Sequence, residues 1–421
     1  MSNVNQAVLD PIAGMGSTSV EDAGCVLEVK KLTFFEGVAM IVGTNIGAGV
    51  LSIAFASRKA GFMPLLFWLT LSGIFTTISM LYVAETTLRT RAHFQLSGLA
   101  KKYLGNFGAW LIFASVAVNS IGALIAYMSG SGKILAALLG IDPQTGSLLF
   151  FIPAALVLFL GLKAIGAAEK WICVGMLTML AVLVSATFLS GNADAQHLFE
   201  GSWVYMIPVF NIAVFCFSAQ YIVPEMARGF EDNPQQLPKA VITGMGITYL
   251  LLAAVPLSVI CLTGLDNLSE VATLAWGEAL GEWAFYTANI FALCAMLTSY
   301  WGLGGSFLTN IFDKFRLGAE SDTKTRLMVL AAVCVPPFVL AYSGMVGFVN
   351  ALYFAGTFSG VILSILPIMM LREARRSGDQ APAWACGWIA NPVLQICVVL
   401  IYLASAFYAV ASGLGFLPSG W

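Results

Sequence analysis

Eleven apolar segments, each about long enough to cross a bilayer, run through most of this 421-residue chain. A transmembrane helix needs about 20 predominantly apolar residues, so windows of that length identify candidate spans. Hydrophobic residues make up 59% of the chain and charged residues only 10%, which leaves little sequence for a soluble domain. We therefore predict an all-α, polytopic membrane protein with eleven transmembrane helices, at residues 34–57, 62–88, 107–130, 147–164, 169–190, 202–227, 238–263, 280–312, 326–342, 345–371 and 390–413.

The distribution of basic residues predicts the orientation of these spans. If the N-terminus is cytoplasmic, 17 of the 20 Lys and Arg residues fall in cytoplasmic segments, and only Arg58, Lys59 and Lys133 fall outside. An excess of positive charge marks the cytoplasmic side. We therefore expect a cytoplasmic tail at residues 1–32, a single transmembrane domain at 33–421 and a C-terminus on the outer side. The net charge of −2 argues against a nucleic-acid partner, and no obligatory protein partner is evident.

The first apolar segment is interrupted by the run Gly43-Thr44-Asn45-Ile46-Gly47-Ala48-Gly49. Each glycine weakens a helix by about 1 kcal/mol, and backbone groups released in lipid cannot bond to water. Irregular backbone at this depth is tolerated where it lines a cavity or is buried in protein. Gly43 and Gly47 also fit a helix-packing motif of small residues, but packing does not explain Thr44 and Asn45 at mid-membrane. The run therefore predicts a broken helix at a solute-binding site.

A second interruption lies five spans later, in segment 202–227. There a short polar cluster, Ser218 to Gln220, precedes Pro224, which removes a backbone donor and disfavours helix at the residue before it. Transporters often consist of two inverted halves with a broken helix at the corresponding place in each. We therefore predict a first repeat at 33–191, a second repeat at 202–371 and an extra, peripheral helix at 390–413.

Broken helices expose backbone groups that suit a zwitterion. Free amides, with the positive end of the helix dipole, favour a carboxylate, and free carbonyls favour a cation or an ammonium group. We predict that an amino acid places its carboxylate at the amides of Ala48 and Gly49. Its ammonium group would meet carbonyls near Phe217 and Ser218, with the amide oxygen of Gln220 as a further partner.

Polar and aromatic side chains elsewhere complete the predicted pocket. Asn119 and Tyr127 are eight residues apart and lie close to one helical face, and Phe354 adds aromatic surface. For these three, packing or a place at the membrane interface is an equal alternative. The predicted substrate-binding residues are Thr44, Asn45, Gly47, Ala48, Gly49, Asn119, Tyr127, Phe217, Ser218, Gln220 and Phe354.

A sodium site is a further candidate, formed by the adjacent hydroxyls of Thr298 and Ser299 and the carbonyls of Gly43 and Ile46. Serine and threonine in membranes often bond only to their own helix, and spacing alone favours that alternative.

Three acidic residues near the cytoplasmic ends of spans are candidates for gating or proton coupling, because ionisable groups in a bilayer are functional candidates. Interfacial ion pairs with Arg89, Arg91 or Arg228 are an equal alternative for them. The three are Glu36, Glu85 and Glu225.

Other classes of function can be weighed from the sequence. ATP-driven transport needs a Gly-x-x-x-x-Gly-Lys-[Ser/Thr] motif, which is absent. A membrane-embedded enzyme usually has His or Asp clusters facing the membrane interior, whereas His93 and His197 lie in loops on opposite sides. The eight cysteines have no metal-binding spacing, and no cofactor is expected. A channel or a sensor derived from a transporter stays open as an alternative.

At these residues the chain resembles a known family. The segment Gly43–Leu51 is similar to the Gly-Thr-x-Ile-Gly-Ala-Gly-x-Leu opening of the bacterial tryptophan/tyrosine permeases, the hydroxy and aromatic amino acid permeases of the amino acid–polyamine–organocation superfamily. Segments 99–105, 127–130 and 298–302 resemble further points of that family, and the resemblance runs over essentially all eleven spans.

The resemblance implies a LeuT-like fold with a 5+5 inverted repeat and broken helices 1 and 6. In that fold spans 1, 2, 6 and 7 rock against the other helices, and the Thr-Ser pair of span 8 helps to bind sodium. The implied function is a secondary active symporter that imports aromatic amino acids across the bacterial inner membrane, coupled to a proton or sodium gradient. Tyrosine is the favoured substrate, with tryptophan, phenylalanine or another neutral amino acid as alternatives.

One segment departs from the family pattern. The family commonly has Phe-Gly-Phe-His before the Val-Pro of span 6, whereas this chain has Phe217-Ser218-Ala219-Gln220. The missing histidine removes a side chain that titrates near neutral pH, so any role of that histidine in substrate recognition or proton coupling does not carry over.

Overall fold

The computed structural model describes residues 31–160, 166–315, 317 and 322–418, with the backbone alone for 166–173 and Asp313. The described part is all-helical, with 82% helix and no strands. Its helices are α1 (Phe34–Asn45), α2 (Ala48–Ala56), α3 (Phe62–Leu88), α4 (Leu96–Leu139), α5 (Pro143–Leu160), α6 (Gly166–Leu189), α7 (Met206–Cys216), α8 (Val223–Gly229), α9 (Gln236–Thr263), α10 (Ala272–Leu280), α11 (Glu282–Phe315), α12 (Thr323–Tyr342), α13 (Phe348–Ser377) and α14 (Pro392–Gly413).

Most of these helices can cross a membrane. Among the described residues, nine spans are long and apolar enough, and the bent pair α1–α2 makes a tenth. Helix α6 contributes a shorter apolar stretch, Val174–Leu189. The chain is therefore a multi-pass membrane protein, while the count of eleven spans and the inverted repeat stay predictions. The predicted tail at 1–32 lies almost wholly outside the described residues.

The break predicted in the first span lies at Ile46 and Gly47. Helix α1 begins at a capping box, in which the Thr33 side chain and the Glu36 carboxylate each bond the other residue's backbone N–H. It ends at Asn45, and α2 begins at Ala48 with its axis bent by 46°. All nine residues of α2 are buried, so the break lies inside protein, where irregular backbone at membrane depth is tolerated.

The sixth predicted span is broken as well. Helix α7 ends at Cys216, and three non-helical residues lead to a 3₁₀ turn, Gln220–Ile222. Pro224 then occupies the first turn of α8, where its missing N–H costs nothing. Helices α2 and α7 pack against each other, so the two breaks are neighbours.

The helix predicted to be peripheral, α14, has only 33% of its apolar window buried, yet it is tied inward by polar contacts. The Tyr402 and Thr76 hydroxyls lie 3.2 Å apart, which joins α14 to α3. The Ser405 hydroxyl donates to Asn211 on α7. A buried hydrogen bond left unmade costs more than one on a surface, so α14 is held against both helices.

Candidate functional site

A small cavity lies where the two breaks meet. Only about 10 Å³ of it can hold the centre of a water-sized sphere, which is about enough for one water molecule. The cavity is too small for an amino acid in this conformation. Its walls come from the α1–α2 break, α4, the end of α7, the 3₁₀ turn and α11, and are formed by Thr44, Asn45, Gly47, Ala48, Gly49, Asn119, Tyr127, Phe215, Ser218, Tyr221 and Leu303.

Eight of the eleven predicted substrate-binding residues line this cavity. They come from three separate parts of the chain, which the fold brings to one place. The eight are Thr44, Asn45, Gly47, Ala48, Gly49, Asn119, Tyr127 and Ser218.

The other three predicted residues lie elsewhere. Phe217 is fully buried with its ring against Gly73 of α3, because the chain turns after α7 and aims this side chain away from the cavity. Phe354 lies on the outside of α13 with 57% of its surface exposed, so the structure does not bring it to the pocket. Gln220 is fully buried, and neither its Nε2 nor its Oε1 has a hydrogen-bond partner in the described part of the chain.

Three lining residues were not anticipated. Phe215 and Tyr221 flank the predicted cluster of span 6, and the turn between them decides which residues face inward. Leu303 lies four residues after Ser299 on α11, and residues at this spacing share a helical face. That spacing was a usable signal for Leu303, whereas the direction of Phe215 and Tyr221 depends on the turn geometry.

Backbone groups at the first break are free, as the zwitterion hypothesis requires. The Ile46 N–H still bonds to the Val42 carbonyl at 2.9 Å. Within the described residues, no backbone N–H bonds to the carbonyls of residues 43–46, and no backbone carbonyl accepts from the amides of Ala48 and Gly49. The last carbonyls of α1 and the first amides of α2 therefore lie at the break without backbone partners.

The carbonyls of the second break are partly used. The Phe217 carbonyl accepts the Ala219 N–H at 2.9 Å, which leaves it one lone pair for an ammonium group. The Ser218 hydroxyl donates to the Val214 carbonyl at 2.8 Å, which leaves its oxygen free to accept. The carbonyls of Cys216 and Ser218 accept no backbone hydrogen bond from the described residues, and they are the better candidates.

Glycine at two positions lets other groups approach the break. A Cβ at Gly47 would lie 2.9 Å from the Ser299 hydroxyl oxygen and 3.0 Å from the Tyr127 hydroxyl oxygen. A Cβ at Gly49 would lie 2.7 Å from the Cys216 sulfur. The close contacts therefore support the packing explanation of these glycines, and their role in binding stays a prediction.

Of the predicted sodium ligands, Gly43 and Ile46 belong to the first break and Ser299 approaches it, but the four are not arranged around an evident site. Ser299 faces Gly47. The Thr298 hydroxyl lies 3.1 Å from the Cys294 carbonyl and 3.0 Å from the Ala295 carbonyl of its own helix, as the alternative expected. Its oxygen lone pairs stay available, because a donated hydrogen leaves the oxygen free to accept or to coordinate.

The three acidic candidates have different surroundings. Glu36 caps α1 as described above, and Glu225 is exposed on the first turn of α8. Glu85 is completely buried. Its oxygens accept from Arg89 Nε and from Arg375 Nε and Nη2, each at 2.9 Å, and from the Cys386 N–H at 2.7 Å.

The Glu85 contacts join α3 to α13 and to the segment that follows α13. The pair with Arg89 was among the expected alternatives, whereas Arg375 and Cys386 are far away in the sequence. Burial raises the pKa of the Cys386 thiol well above its ordinary value, so this thiol stays protonated. With two guanidinium groups and an amide on one carboxylate, the arrangement is that of a buried ion-pair network.

The chain resembles known proteins over most of its length. The chain matches the model of the tryptophan/tyrosine permease family over residues 30–417. It is 26% identical over 397 residues to tyrosine-specific transport system 1 of Haemophilus influenzae, covering 90% of this chain and 97% of that protein. It is 24% identical over 389 residues to a tryptophan-specific transport protein of the same organism, covering 85% and 91%.

A third relative has a different name. Glutamine transporter 2 of Aliivibrio fischeri is 22% identical over 368 residues, covering 81% of this chain and 89% of that protein. All three relatives are named as transporters, and the matched family consists of transporters rather than enzymes. Because the family model spans nearly the whole chain, the protein belongs to the tryptophan/tyrosine permease family.

Proposed function

We propose that this protein is a secondary active symporter that imports aromatic amino acids, tyrosine above all, by alternating access. The observation that carries the proposal is the cavity between two helix breaks, with free amides on one side and free carbonyls on the other. We place the substrate carboxylate at the amides of Ala48 and Gly49. Its ammonium group meets the carbonyls of Cys216 and Ser218.

The small volume of the cavity supports alternating access. An amino acid cannot enter about 10 Å³, so helices around the breaks must part before it binds. Two ion pairs each connect a part of the chain that would have to move with a helix against which it moves. Glu85 joins α3 to Arg375 of α13, and Lys133 on α4 pairs with Glu270 at 2.6 Å in the segment between α9 and α10. We propose that they lie at the inner and outer ends, with the N-terminus cytoplasmic and the C-terminus periplasmic.

The coupling ion is sodium or a proton. Sodium is supported by the free carbonyls of Gly43 and Ile46 and by the hydroxyls of Thr298 and Ser299, since a hard cation prefers oxygen ligands. No Asp, Glu or His belongs to the described wall of the cavity. A coupled proton would therefore have to bind a group that lies at a distance from the substrate.

Uptake into proteoliposomes tests the proposal. Labelled L-tyrosine should accumulate under a sodium gradient alone or under a pH gradient alone, and excess L-tryptophan or L-phenylalanine should compete. Equilibration without accumulation under either gradient would contradict symport and favour a channel or sensor. Competition by L-glutamine alone would instead favour a permease for another neutral amino acid, as the name of the third relative suggests.

A matched pair of variants distinguishes sodium coupling from proton coupling. Thr298→Val removes the hydroxyl proposed to bind sodium and keeps the side-chain shape. Thr178→Val is its control, because Thr178 also bonds its hydroxyl to its own helix, at 2.8 Å, but on the exposed side of α6. Loss of sodium dependence in Thr298→Val alone supports sodium coupling, and unchanged uptake in both variants refutes it.

A further inference from the structure

Asn119 is a buried amide on the α4 wall of the cavity, with 3% of its surface exposed. It lies two helical turns before Tyr127, about 12 Å along the helix axis. Tyr127 is at the level of the break, because its hydroxyl approaches Gly47. A substrate whose backbone is held at the break can therefore extend its side chain along α4 toward Asn119.

The Asn119 amide is held in place from α13. The Ser359 hydroxyl oxygen lies 3.1 Å from Asn119 Oδ1 and 2.6 Å from the carbonyl of Ala355. One hydroxyl hydrogen is shared between two acceptors, as in other three-centre hydrogen bonds. Ser359 is completely buried, so bulk water does not compete for this contact.

The other end of the amide has no partner. Asn119 Nδ2 makes no hydrogen bond within the described residues. Part of its surface is accessible, whereas Asn45 Oδ1 is fully enclosed. Since Asn119 lines the cavity, its remaining surface opens there. A polar end of this kind is costly when an apolar group covers it and is satisfied when a polar group meets it.

We infer that Asn119 is a specificity-determining residue that reads the ring hydroxyl of tyrosine, and that Ser359 is its positioning residue. This inference rests on the proposed function. A phenol hydroxyl both donates and accepts, so it can pair with a carboxamide, whereas the phenyl ring of phenylalanine can do neither. Sites built to bond a substrate hydroxyl reject the analogue that lacks it.

Binding of L-tyrosine and L-phenylalanine to the purified full-length protein tests this inference, because the two ligands differ by one hydroxyl. We expect wild type to bind L-tyrosine about tenfold more tightly, which is the usual size of one net hydrogen bond. Asn119→Leu should reduce the ratio of the two affinities to about one. Ser359→Ala should reduce the ratio too, because the amide loses its anchor while keeping its chemistry.

Ser115→Ala is the matched control. The Ser115 hydroxyl donates to the backbone carbonyl of Ser359 at 3.1 Å, in the same α4–α13 contact, but makes no hydrogen bond to the Asn119 side chain within the described residues. Its affinity ratio should equal that of wild type. Equal affinities in wild type, or an unchanged ratio in Ser359→Ala and Asn119→Leu, would overturn the inference while leaving aromatic transport intact. Failure of both ligands to bind wild type would overturn the proposed function, and the inference with it.

Discussion

Gly49→Ala should destabilise the protein through a single side chain, that of Cys216. A Cβ at position 49 would lie 2.7 Å from the Cys216 sulfur and 3.4 Å from the Cα and Cβ of the same residue. The first distance is shorter than real Cβ contacts, and the other two are ordinary van der Waals contact. Cys216 is 1% exposed at the end of α7, so the sulfur has little room to move.

The magnitude follows from packing. Inserting a methyl group into a filled core costs about 1–3 kcal/mol. Cys216→Ala removes the sulfur, and the nearest remaining contact of the new Cβ is then 3.4 Å. The double variant should therefore be more stable than the sum of the two single effects predicts, with a coupling of about 0.5–3 kcal/mol.

Thermal unfolding of the purified protein, measured for wild type, both single variants and the double variant, gives this coupling. Gly246→Ala on α9 is the matched control, because a Cβ there meets nothing within 4 Å, and alanine is the better helix former. It should be neutral or stabilising. Gly49→Ala should also weaken tyrosine binding, because the crowded contact with Cys216 displaces the amide at position 49. Tyrosine affinity should recover in the double variant together with stability, because residue 49 keeps its N–H.

Two results would refute this reasoning. If Gly49→Ala is as stable as wild type, the α2–α7 contact is looser than the structure indicates. If Cys216→Ala restores stability but tyrosine affinity stays lost, the glycine serves binding by a route other than its contact with Cys216.

Three further predictions concern charged groups. Glu85→Ala leaves two partly exposed guanidinium groups and the Cys386 N–H without their acceptor, so thermal unfolding should show a loss of about 1–3 kcal/mol. Lys133→Gln and Glu270→Gln remove one partly exposed ion pair, so a double-variant cycle should give a coupling of only about 0–1 kcal/mol. The Lys102 ammonium and the Arg91 N–H hold the pKa of Asp379 below its ordinary value of 3.8. The stabilisation from this contact is therefore full above pH 3.8 and is lost as the pH falls through the lower folded value, and Asp379→Asn should remove that part of the acid dependence.

Controls for these predictions come from the same chain. Glu225→Ala removes an exposed carboxylate and should change stability by less than about 0.5 kcal/mol. An equal loss in Glu225→Ala and Glu85→Ala would contradict the role given to the buried network. Identical acid unfolding curves for wild type and Asp379→Asn would contradict the pH prediction.

Features with local causes could be predicted. Hydropathy over about 20 residues reports whether a segment can cross a bilayer, and the helices appear where the apolar segments lie. The break at Ile46 and Gly47 could be predicted because glycine weakens a helix wherever it stands. The direction of side chains after a break could not. Phe217 and Gln220 do not belong to the cavity wall, whereas Phe215 and Tyr221 do, because a non-helical turn and a 3₁₀ turn replace the 3.6-residue period that the prediction assumed.

The sequence by itself determined that this is a helical membrane protein, where its first helix breaks and to which family it belongs, since these properties depend on neighbouring residues or on motifs. Tertiary structure alone decided which partners meet. Arg375 reaches Glu85 across 290 residues of chain, Ser359 reaches Asn119 across 240, and Cys216 fills the space that Gly49 leaves. The physical reason is that such contacts depend on how the helices pack, and no local pattern in the sequence encodes the distance between two helices.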